Sequence, residues 1–131
     1  MYPKRQSERI DIRQDAPLNI PDAGYPVFSS INVNQDGRII DLRVEIAIMH
    51  TYIGDLRVDL IAPDGTDVVL HNYTGHSADN LVRNYSPADT PALNSLQNRF
   101  IRGTWKLRVV DRARFDVGRL NSWRIIAQVT V

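Results

Sequence analysis

The chain of 131 residues has the length of one domain, which is enough to bury a hydrophobic core without covalent staples. Hydrophobic residues make up 43% and charged residues 24%, which is typical of a globular protein and excludes a disordered one. The formal net charge of +1 does not favour nucleic acid or an anionic membrane as a partner. Because the chain has no cysteine, disulfides, zinc–thiolate sites and cysteine nucleophiles are excluded.

The N-terminal segment, residues 1–17, shows neither a strand pattern nor a targeting signal. Acidic residues interrupt its basic ones, so we interpret it as a solvated linker or extension and residues 18–131 as the folded domain. Residues 1–15 lack the apolar stretch of a signal peptide, and no apolar run reaches the ~18 residues of a membrane span. We therefore predict either a protein that stays inside the cell or a fragment of a longer exported chain.

Two strands are predicted in the first half of the domain. Residues 27–33 form the first strand, and the polar residues 34–37 form the turn after it. Residues 39–50 alternate between apolar and mostly polar positions, as a strand with one buried face requires. The buried face is predicted to carry Ile40, Leu42, Val44, Ile46, Ile48 and His50.

A β-hairpin is predicted in residues 56–72. Residues 56–62 alternate in the same way, with Arg57 and Asp59 directed away from the apolar face. Proline at 63 presets the backbone for a turn, and Gly65 accepts the left-handed conformation that follows. Residues 67–72 then return as a second β-rich strand, which completes the hairpin.

The long irregular segment of residues 73–99 follows the hairpin. Segments of this length inside a compact domain usually carry function or cover part of the core. We expect one short helical turn within residues 92–100 and a cover over one edge of the fold.

Two tryptophan-containing strands are predicted near the C-terminus. In residues 105–110 and 123–131 every second residue is apolar, and Trp105 and Trp123 are expected to anchor the core. Strands bounded by turns, each with one apolar face, predict an all-β domain of two antiparallel sheets packed face to face. The order of the strands alone does not distinguish an immunoglobulin-like arrangement from a jelly roll.

The sequence contains no evident constellation of catalytic residues. It has no G-x-S-x-G nucleophile elbow, no phosphate-binding loop and no H-E-x-x-H motif. His50 lies on the apolar face of its strand, so we expect a hydrogen-bonded core histidine rather than a catalytic base. The spacing of His71, His76 and Asp79 matches no standard metal-ligand pattern. We therefore predict that the chain is not an enzyme.

Carboxylates at the predicted strand ends are candidates for a calcium site. Asp55 precedes one strand, Asp111 ends another, and Asp116 lies in the turn that follows. Carboxylates that converge at one rim of a sandwich would suit calcium, which binds 6–8 oxygen ligands. The alternative is that these aspartates cap turns by hydrogen-bonding to their own backbone.

Five short motifs occur in the order and spacing of a known family. They are His50-x-Tyr52-x-Gly54-Asp55-Leu56, residues 60–66 (LIAPDGT), Val69-Leu70, residues 103–111 (GTWKLRVVD) and Asp116-x-Gly118-x-Leu120-x-x-Trp123. This set resembles the P domain, also called the Homo B domain, of kexin- and furin-like convertases, which are subtilisin-family proteases. Bacterial exoproteases carry similar domains. The resemblance spans about residues 18–129.

The resemblance implies a jelly-roll sandwich of about eight antiparallel strands. It also implies an accessory role, because in this family the domain follows a protease catalytic domain, packs on it and stabilises it. The family's catalytic residues lie in that other domain, so the resemblance places none on this chain. The implied partner is a protease catalytic domain, in the same polypeptide or as a separate protein, and the resemblance implies that the domain influences the calcium and pH dependence of that protease. The implied location is outside the cell.

The motif residues have a structural interpretation in this chain. His50, Tyr52 and Asp55 are predicted to form a buried polar cluster that holds one rim of the sandwich. Gly54 and Gly103 are expected to permit tight turns before strands. The remaining motif residues, which we expect in turns, at strand ends or in the core, are Pro63, Gly65, Trp105, Asp111, Gly118 and Trp123.

A stand-alone ligand-binding sandwich is the alternative function. Jelly rolls also host lectins, which stack exposed aromatic rings on sugar faces. Tyr73 and Tyr85 in the long segment, together with Phe115, are the candidate platforms for a carbohydrate or protein ligand.

Overall fold

The computed structural model describes residues 7–21, 24–114 and 118–130. These residues contain nine strands and two short 3-10 helices, at Ile53–Asp55 and Pro91–Leu96. No helix in these ranges has the length and apolar character needed to cross a membrane. The strands are β1 (Ser7–Gln14), β2 (Leu18–Ile20), β3 (Val27–Val33), β4 (Arg38–His50), β5 (Leu56–Ile61), β6 (Asp67–Asn72), β7 (Leu81–Tyr85), β8 (Gly103–Asp111) and β9 (Gly118–Thr130).

The strands form two sheets that pack face to face around one core. The first sheet has the order β1-β9-β4-β7, and β2 pairs with the same strand β9 as β1 does. The second sheet has the order β3-β8-β5-β6, and every pairing in both sheets is antiparallel. Because β1 and β2 share one position beside β9, the sandwich has eight strand positions, the number found in a jelly roll. The predicted fold class is confirmed.

Strand β1 corrects the prediction for the N-terminal segment. Residues Ser7–Gln14 pair with β9 over their whole length, so the interpretation as a solvated linker is wrong for them. Ile10 is 2% exposed and Ile12 packs against the core, while Asp11 between them is exposed. Two apolar side chains are enough because an edge strand buries only one face. The domain boundary at residue 17 stays a prediction.

A bulge near the start of β4 shifts the predicted buried face. The register with β9 slips between Ile39 and Asp41, so that Ile39 is buried and Ile40 is 44% exposed. The prediction that Ile40 is buried is therefore wrong. From Leu42 to His50 the alternation follows the prediction, because the bulge restores the period-2 pattern after one extra residue.

The segment of residues 73–99 is more ordered than its sequence indicates. It contains β7, which pairs with β4 as the edge of the five-stranded sheet. Only Leu81 and Tyr85 of β7 are buried, so the strand lacks a continuous apolar alternation. The predicted helical turn is present as the 3-10 helix Pro91–Leu96, and its Leu93 and Leu96 side chains cover the core.

The two tryptophans occupy the core as predicted. Trp105 and Trp123 are both almost completely buried. The indole N–H of Trp105 donates to the carbonyl of Ile101 at 2.9 Å, and that of Trp123 donates to the hydroxyl of Ser29 at 2.8 Å. Each ring therefore contributes its apolar area without leaving a buried donor unpaired.

Candidate functional site

The motif residues gather at one end of the sandwich, which we call the histidine rim. It comprises residues 50–55, 71–80, 111–114 and Gly118, where β4, β6 and β8 end and β5 and β9 begin. Asn80 holds the end of β4 from both sides. Its side-chain oxygen accepts from the N–H of His50 at 3.0 Å, and its own N–H donates to the carbonyl of His50 at 2.8 Å.

His50 and Asp111 form a buried pair between the two sheets. The Nε2 atom of His50, on β4, lies 2.8 Å from Oδ2 of Asp111, on β8, and neither side chain is exposed. The Nδ1 atom of His50 accepts from the N–H of Tyr52 at 2.9 Å. An accepting nitrogen carries no proton, so the ring is the neutral tautomer that donates from Nε2 to the carboxylate. Oδ1 of Asp111 accepts from the N–H of Ala113 at 3.0 Å.

This geometry leaves His50 without a free ring nitrogen. A general base needs an acceptor nitrogen within reach of a substrate proton. In His50 one nitrogen faces a buried carboxylate, and the other already accepts from the backbone. The pair is suited to holding the two sheets together, as expected for a hydrogen-bonded core histidine.

Gly118 makes room for the histidine ring. A Cβ atom at this position would lie 2.4 Å from Cδ2 of His50 and 3.2 Å from the carbonyl oxygen of Met49. The contact with His50 is far inside van der Waals distance, so a larger residue would displace the ring that pairs with Asp111. Gly118, in the last motif, therefore contributes to the histidine rim because its lack of a side chain leaves space for the ring of His50.

The predicted cluster of His50, Tyr52 and Asp55 is only partly assembled. Tyr52 reaches His50 through its backbone N–H, and its own side chain is 37% exposed. The carbonyl of Asp55 accepts from the N–H of Arg112 at 3.0 Å, which links the start of β5 to the residue after β8. The acidic partner of His50 is Asp111, which sequence reasoning had placed among the calcium ligands. The available signal was that both residues end strands.

The other glycines and the proline of the motifs lie in turns and close contacts. Buried Gly54 donates its N–H to the carbonyl of His76 at 2.9 Å. In the β5–β6 turn, Gly65 donates to the carbonyl of Ala62 at 2.9 Å. Gly103 has φ of +132°, and a Cβ atom there would lie 2.6 Å from Cβ of Pro63. These positions belong to the scaffold of the sandwich.

The calcium prediction finds little support from Asp111. Both of its carboxylate oxygens accept hydrogen bonds in a fully buried position, which is a poor setting for a ligand of a hydrated cation. Asp116 lies outside the described residues. Within the described part of the chain, no three His, Asp or Glu side chains are grouped as they would be around a metal ion.

His71 is a second buried histidine at the histidine rim. Its Nε2 donates to the carbonyl of Ile53 at 2.9 Å, and its Nδ1 lies 3.4 Å from the hydroxyl of Thr74. Burial lowers the pKa of His71, because desolvation disfavours the charged ring. The neutral ring therefore fastens the 3-10 turn Ile53–Asp55 to the end of β6.

A charged cluster on the outer face of the four-stranded sheet was missed in the sequence. Asp59, predicted to face away from the core, is 0% exposed because arginine side chains cover it. Arg57 Nε lies 2.9 Å from Oδ1 of Asp59, and Arg108 Nη2 lies 2.6 Å from its Oδ2. Arg108 also contacts Asp67 at 2.9 Å. The cluster follows from cross-strand register, which places Asp59 opposite Arg108.

The two carboxyls of this cluster differ in acidity. Burial works to raise the pKa of Asp59, but hydrogen bonds from Arg57 and Arg108 outweigh it and hold the pKa below its usual value. The pKa of Asp67 is raised, first by burial and then by the neighbouring Asp59 carboxyl. Asp59 is therefore the carboxyl that stays ionised beneath the arginines.

The aromatic platforms predicted for a ligand are not free. Tyr85 is 3% exposed, and burial raises its pKa to about 12. The ring of Tyr73 is covered by the guanidinium of Arg112, whose carbon lies 4.0 Å from the ring centroid. Phe115 lies outside the described residues. The prediction of exposed stacking platforms is thus wrong for Tyr85, and the face of Tyr73 is already occupied.

Comparison with known proteins identifies relatives among proteases. The family described as "Proprotein convertase P-domain" matches residues 39–127. The chain is 43% identical over 113 residues to Leupeptin-inactivating enzyme 1 of Streptomyces exfoliatus, covering 84% of this chain and 24% of that protein. It is 36% identical over 115 residues to the Calcium-dependent protease of Trichormus variabilis, covering 86% of this chain and 17% of the relative. The chain thus spans about a quarter or less of these relatives.

A solved structure shares the fold. The serine protease of Aeromonas sobria, in complex with the chaperone ORF2, superposes with a TM-score of 0.79 at 17% identity. The match covers 100% of this chain and 28% of that one. The resemblance inferred from the five motifs is confirmed by the family match and by the 43% identity to a curated relative. The chain belongs to the proprotein convertase P-domain family.

Proposed function

We propose that this chain is a non-catalytic accessory domain that packs on a protease catalytic domain and stabilises it. The observation that carries the proposal is the match of residues 39–127 to the P-domain family. The coverage of the relatives supports it, because this domain accounts for a quarter or less of each named protease. Three quarters or more of each relative lies outside the matched segment, which leaves enough chain for a separate catalytic domain.

The chemistry of the two buried histidines supports a role without catalysis, and the third histidine, His76, is exposed. His50 and His71 are buried, and both ring nitrogens of each have a polar neighbour. Neither therefore offers an acceptor nitrogen to a nucleophilic serine or to water, as a serine hydrolase requires. With Tyr85 buried and Tyr73 covered, no specific observation favours the alternative of a stand-alone carbohydrate-binding or protein-binding module.

A chimera tests the accessory role. In Leupeptin-inactivating enzyme 1, the matched 113-residue segment is replaced by this chain, and a second variant lacks the segment altogether. We expect the chimera to keep its leupeptin-inactivating activity roughly 10-fold longer than the deletion variant at an elevated temperature, because a docked domain stabilises the folded state by linkage. The measurement is the half-life of activity at that temperature.

The isolated chain provides the control for catalysis. It is assayed for casein hydrolysis and for labelling by a fluorophosphonate that reacts with activated serines. We expect neither signal. Labelling of the isolated chain, or equal half-lives of the chimera and the deletion variant, would contradict the proposed function.

Calcium and an extracellular location are finer proposals for the full-length protein. Calcium binding is supported by the relative from Trichormus variabilis, which is a calcium-dependent protease. The geometry of Asp111 does not favour that residue as a ligand. A bound ion must raise the melting temperature of the chain by linkage. Identical melting curves in millimolar calcium and in chelator would therefore contradict calcium binding by this domain.

A further inference from the structure

The end of the sandwich opposite the histidine rim carries an exposed aromatic ring. We call this end the arginine rim and define it as residues 34–38, 62–66 and 98–103, where β4 and β8 begin. Phe100 is 65% exposed there. A phenyl ring held in water in this way gains solvation free energy when a partner covers it.

The ring of Phe100 is paired with an arginine that has no carboxylate partner in the described part of the chain. The guanidinium carbon of Arg38 lies 4.5 Å from the ring centroid, and its Nη1 donates to the carbonyl of Asn98 at 3.0 Å. Aromatic residues, phenylalanine among them, and arginine are both enriched in protein interfaces. The pair therefore offers an apolar surface and an uncompensated positive charge side by side.

The backbone holds this pair in place before any partner arrives. The N–H of Asn98 donates to the carbonyl of Ile39 at 2.8 Å, and the N–H of Ile39 donates to the carbonyl of Arg99 at 2.9 Å. The N–H of Ile101 donates to the carbonyl of Gly37 at 2.9 Å. Binding through Phe100 thus orders little additional backbone, and an entropic cost of association is avoided.

The charges around Phe100 indicate the chemistry of its partner. Arg99 pairs with Asp64 at 2.6 Å, and Arg102 pairs with Asp36 at 2.7 Å. With Arg38, the arginine rim has three arginines and two aspartates, an excess of one positive charge centred beside the exposed ring. A complementary surface is apolar at its centre and carries a carboxylate at its margin.

The arginine rim is also the end of the sandwich at which β1 begins and β9 ends. Ser7, at the start of β1, pairs with Thr130, at the end of β9, and Arg38 pairs with the same Thr130. In the named relatives this domain is a quarter or less of the chain, so the remaining polypeptide joins it through segments equivalent to these. A covalently attached domain is thereby kept at high effective concentration near Phe100.

We propose that Phe100 and Arg38 form the centre of the surface that docks on an apolar and acidic patch of the protease catalytic domain in the same polypeptide. The inference rests on the accessory function proposed above and adds the surface and the chemistry of its partner. The exposed ring enters the apolar part of the patch, and the Arg38 guanidinium meets its carboxylate.

The test uses the chimera with Leupeptin-inactivating enzyme 1 described above. Phe100→Asp is compared with Tyr25→Asp, because Tyr25 is a 69% exposed aromatic residue beside the histidine rim. Arg38→Gln, which keeps a donor for the Asn98 carbonyl, is compared with Arg119→Gln at the start of β9. We expect Phe100→Asp to shorten the half-life of activity by roughly 10-fold and Arg38→Gln by about 3-fold, with no change in either control.

Melting of the isolated chain separates docking from folding. The four variants are expected to melt within about 2 °C of the parent chain, since their side chains lie at the surface. If the parent chimera outlasts the deletion variant but Phe100→Asp and Arg38→Gln are as durable as the parent, the docking surface is wrong and the accessory function stands. If the parent chimera is no more durable than the deletion variant, both proposals are overturned.

Discussion

His50 and Asp111 show how two ordinary side chains connect the sheets at one rim. Each is completely buried, and each makes its hydrogen bonds within the protein. A buried polar group that loses its partner is costly, because water cannot replace the missing bond. The pair is therefore more sensitive to loss of one member than its small number of contacts indicates.

Replacing Asp111 by alanine should destabilise the chain by about 3 kcal/mol, because it leaves the Nε2–H of His50 and the N–H of Ala113 unpaired in the interior. The measurement is urea unfolding followed by tryptophan fluorescence. Asp36→Ala removes an exposed carboxylate from an ion pair with Arg102 and should cost less than about 1 kcal/mol. Equal losses in the two variants would show that the His50–Asp111 pair contributes no more than a surface contact.

His71 should make the stability of the chain depend on pH near neutrality. Its pKa in the folded state is lowered by burial from an ordinary value of 6.5. As the pH falls below about 6.5, His71 is protonated in the unfolded chain but stays neutral in the folded chain. The free energy of unfolding therefore decreases. The stabilisation is complete above this pH and is lost as the pH falls through the lowered pKa.

The measurement is the melting temperature of the chain between pH 7.5 and pH 5. His71→Gln keeps a donor and does not titrate, so its melting temperature should fall less steeply with acidity. His76→Gln, which replaces an exposed histidine, is the control variant. A slope unchanged by His71→Gln would contradict this assignment.

Among the elements, the two edge strands of the five-stranded sheet were hardest to recognise in the sequence. Strand β1 buries Ile10 and packs Ile12 on the core, and β7 buries Leu81 and Tyr85. Their remaining side chains are polar or exposed, because one face and one edge of such a strand meet water. The inner strands β4, β5, β8 and β9 have more apolar inward positions, and all four were recognised from period-2 alternation.

Ile10→Ala tests whether β1 is a working part of the domain. Removing most of a side chain that is 2% exposed should destabilise the chain by about 2 kcal/mol, through lost burial and the cavity left behind. Ile40→Ala, at a 44% exposed position on β4, should cost less than about 1 kcal/mol. Urea unfolding measures both. If Ile10→Ala left the free energy of unfolding unchanged, β1 would be an extension that does not contribute to the stability of the domain.

The bulge in β4 explains why Ile40 departs from the period-2 alternation of its strand. The alternation of residues 39–50 was extended back to Ile40, but the register with β9 slips between Ile39 and Asp41. The slip moves Ile40 to the outside and Ile39 to the inside. Adjacent isoleucines satisfy either register, so nothing local in the sequence distinguishes them.

On the scale of the whole molecule, the two rims have different characters. At the histidine rim, His50 and His71 are buried and pair with groups of the domain itself, and the guanidinium of Arg112 lies over the ring of Tyr73. The arginine rim presents Phe100 to solvent and lies where β1 begins and β9 ends. This division is consistent with a module that is stabilised at one end and makes contact at the other.

Period-2 alternation, turn residues and ordered motifs are local signals. From them the sequence predicts the fold class, the hairpin, the inner strands, the tryptophan core and the family. Only the tertiary structure decided that His50 pairs with Asp111, that Asp59 lies beneath Arg57 and Arg108, and that β1 and β7 complete a sheet. The physical reason is that these contacts join residues far apart along the chain. Their partners depend on strand register and sheet order, which no short stretch of sequence encodes.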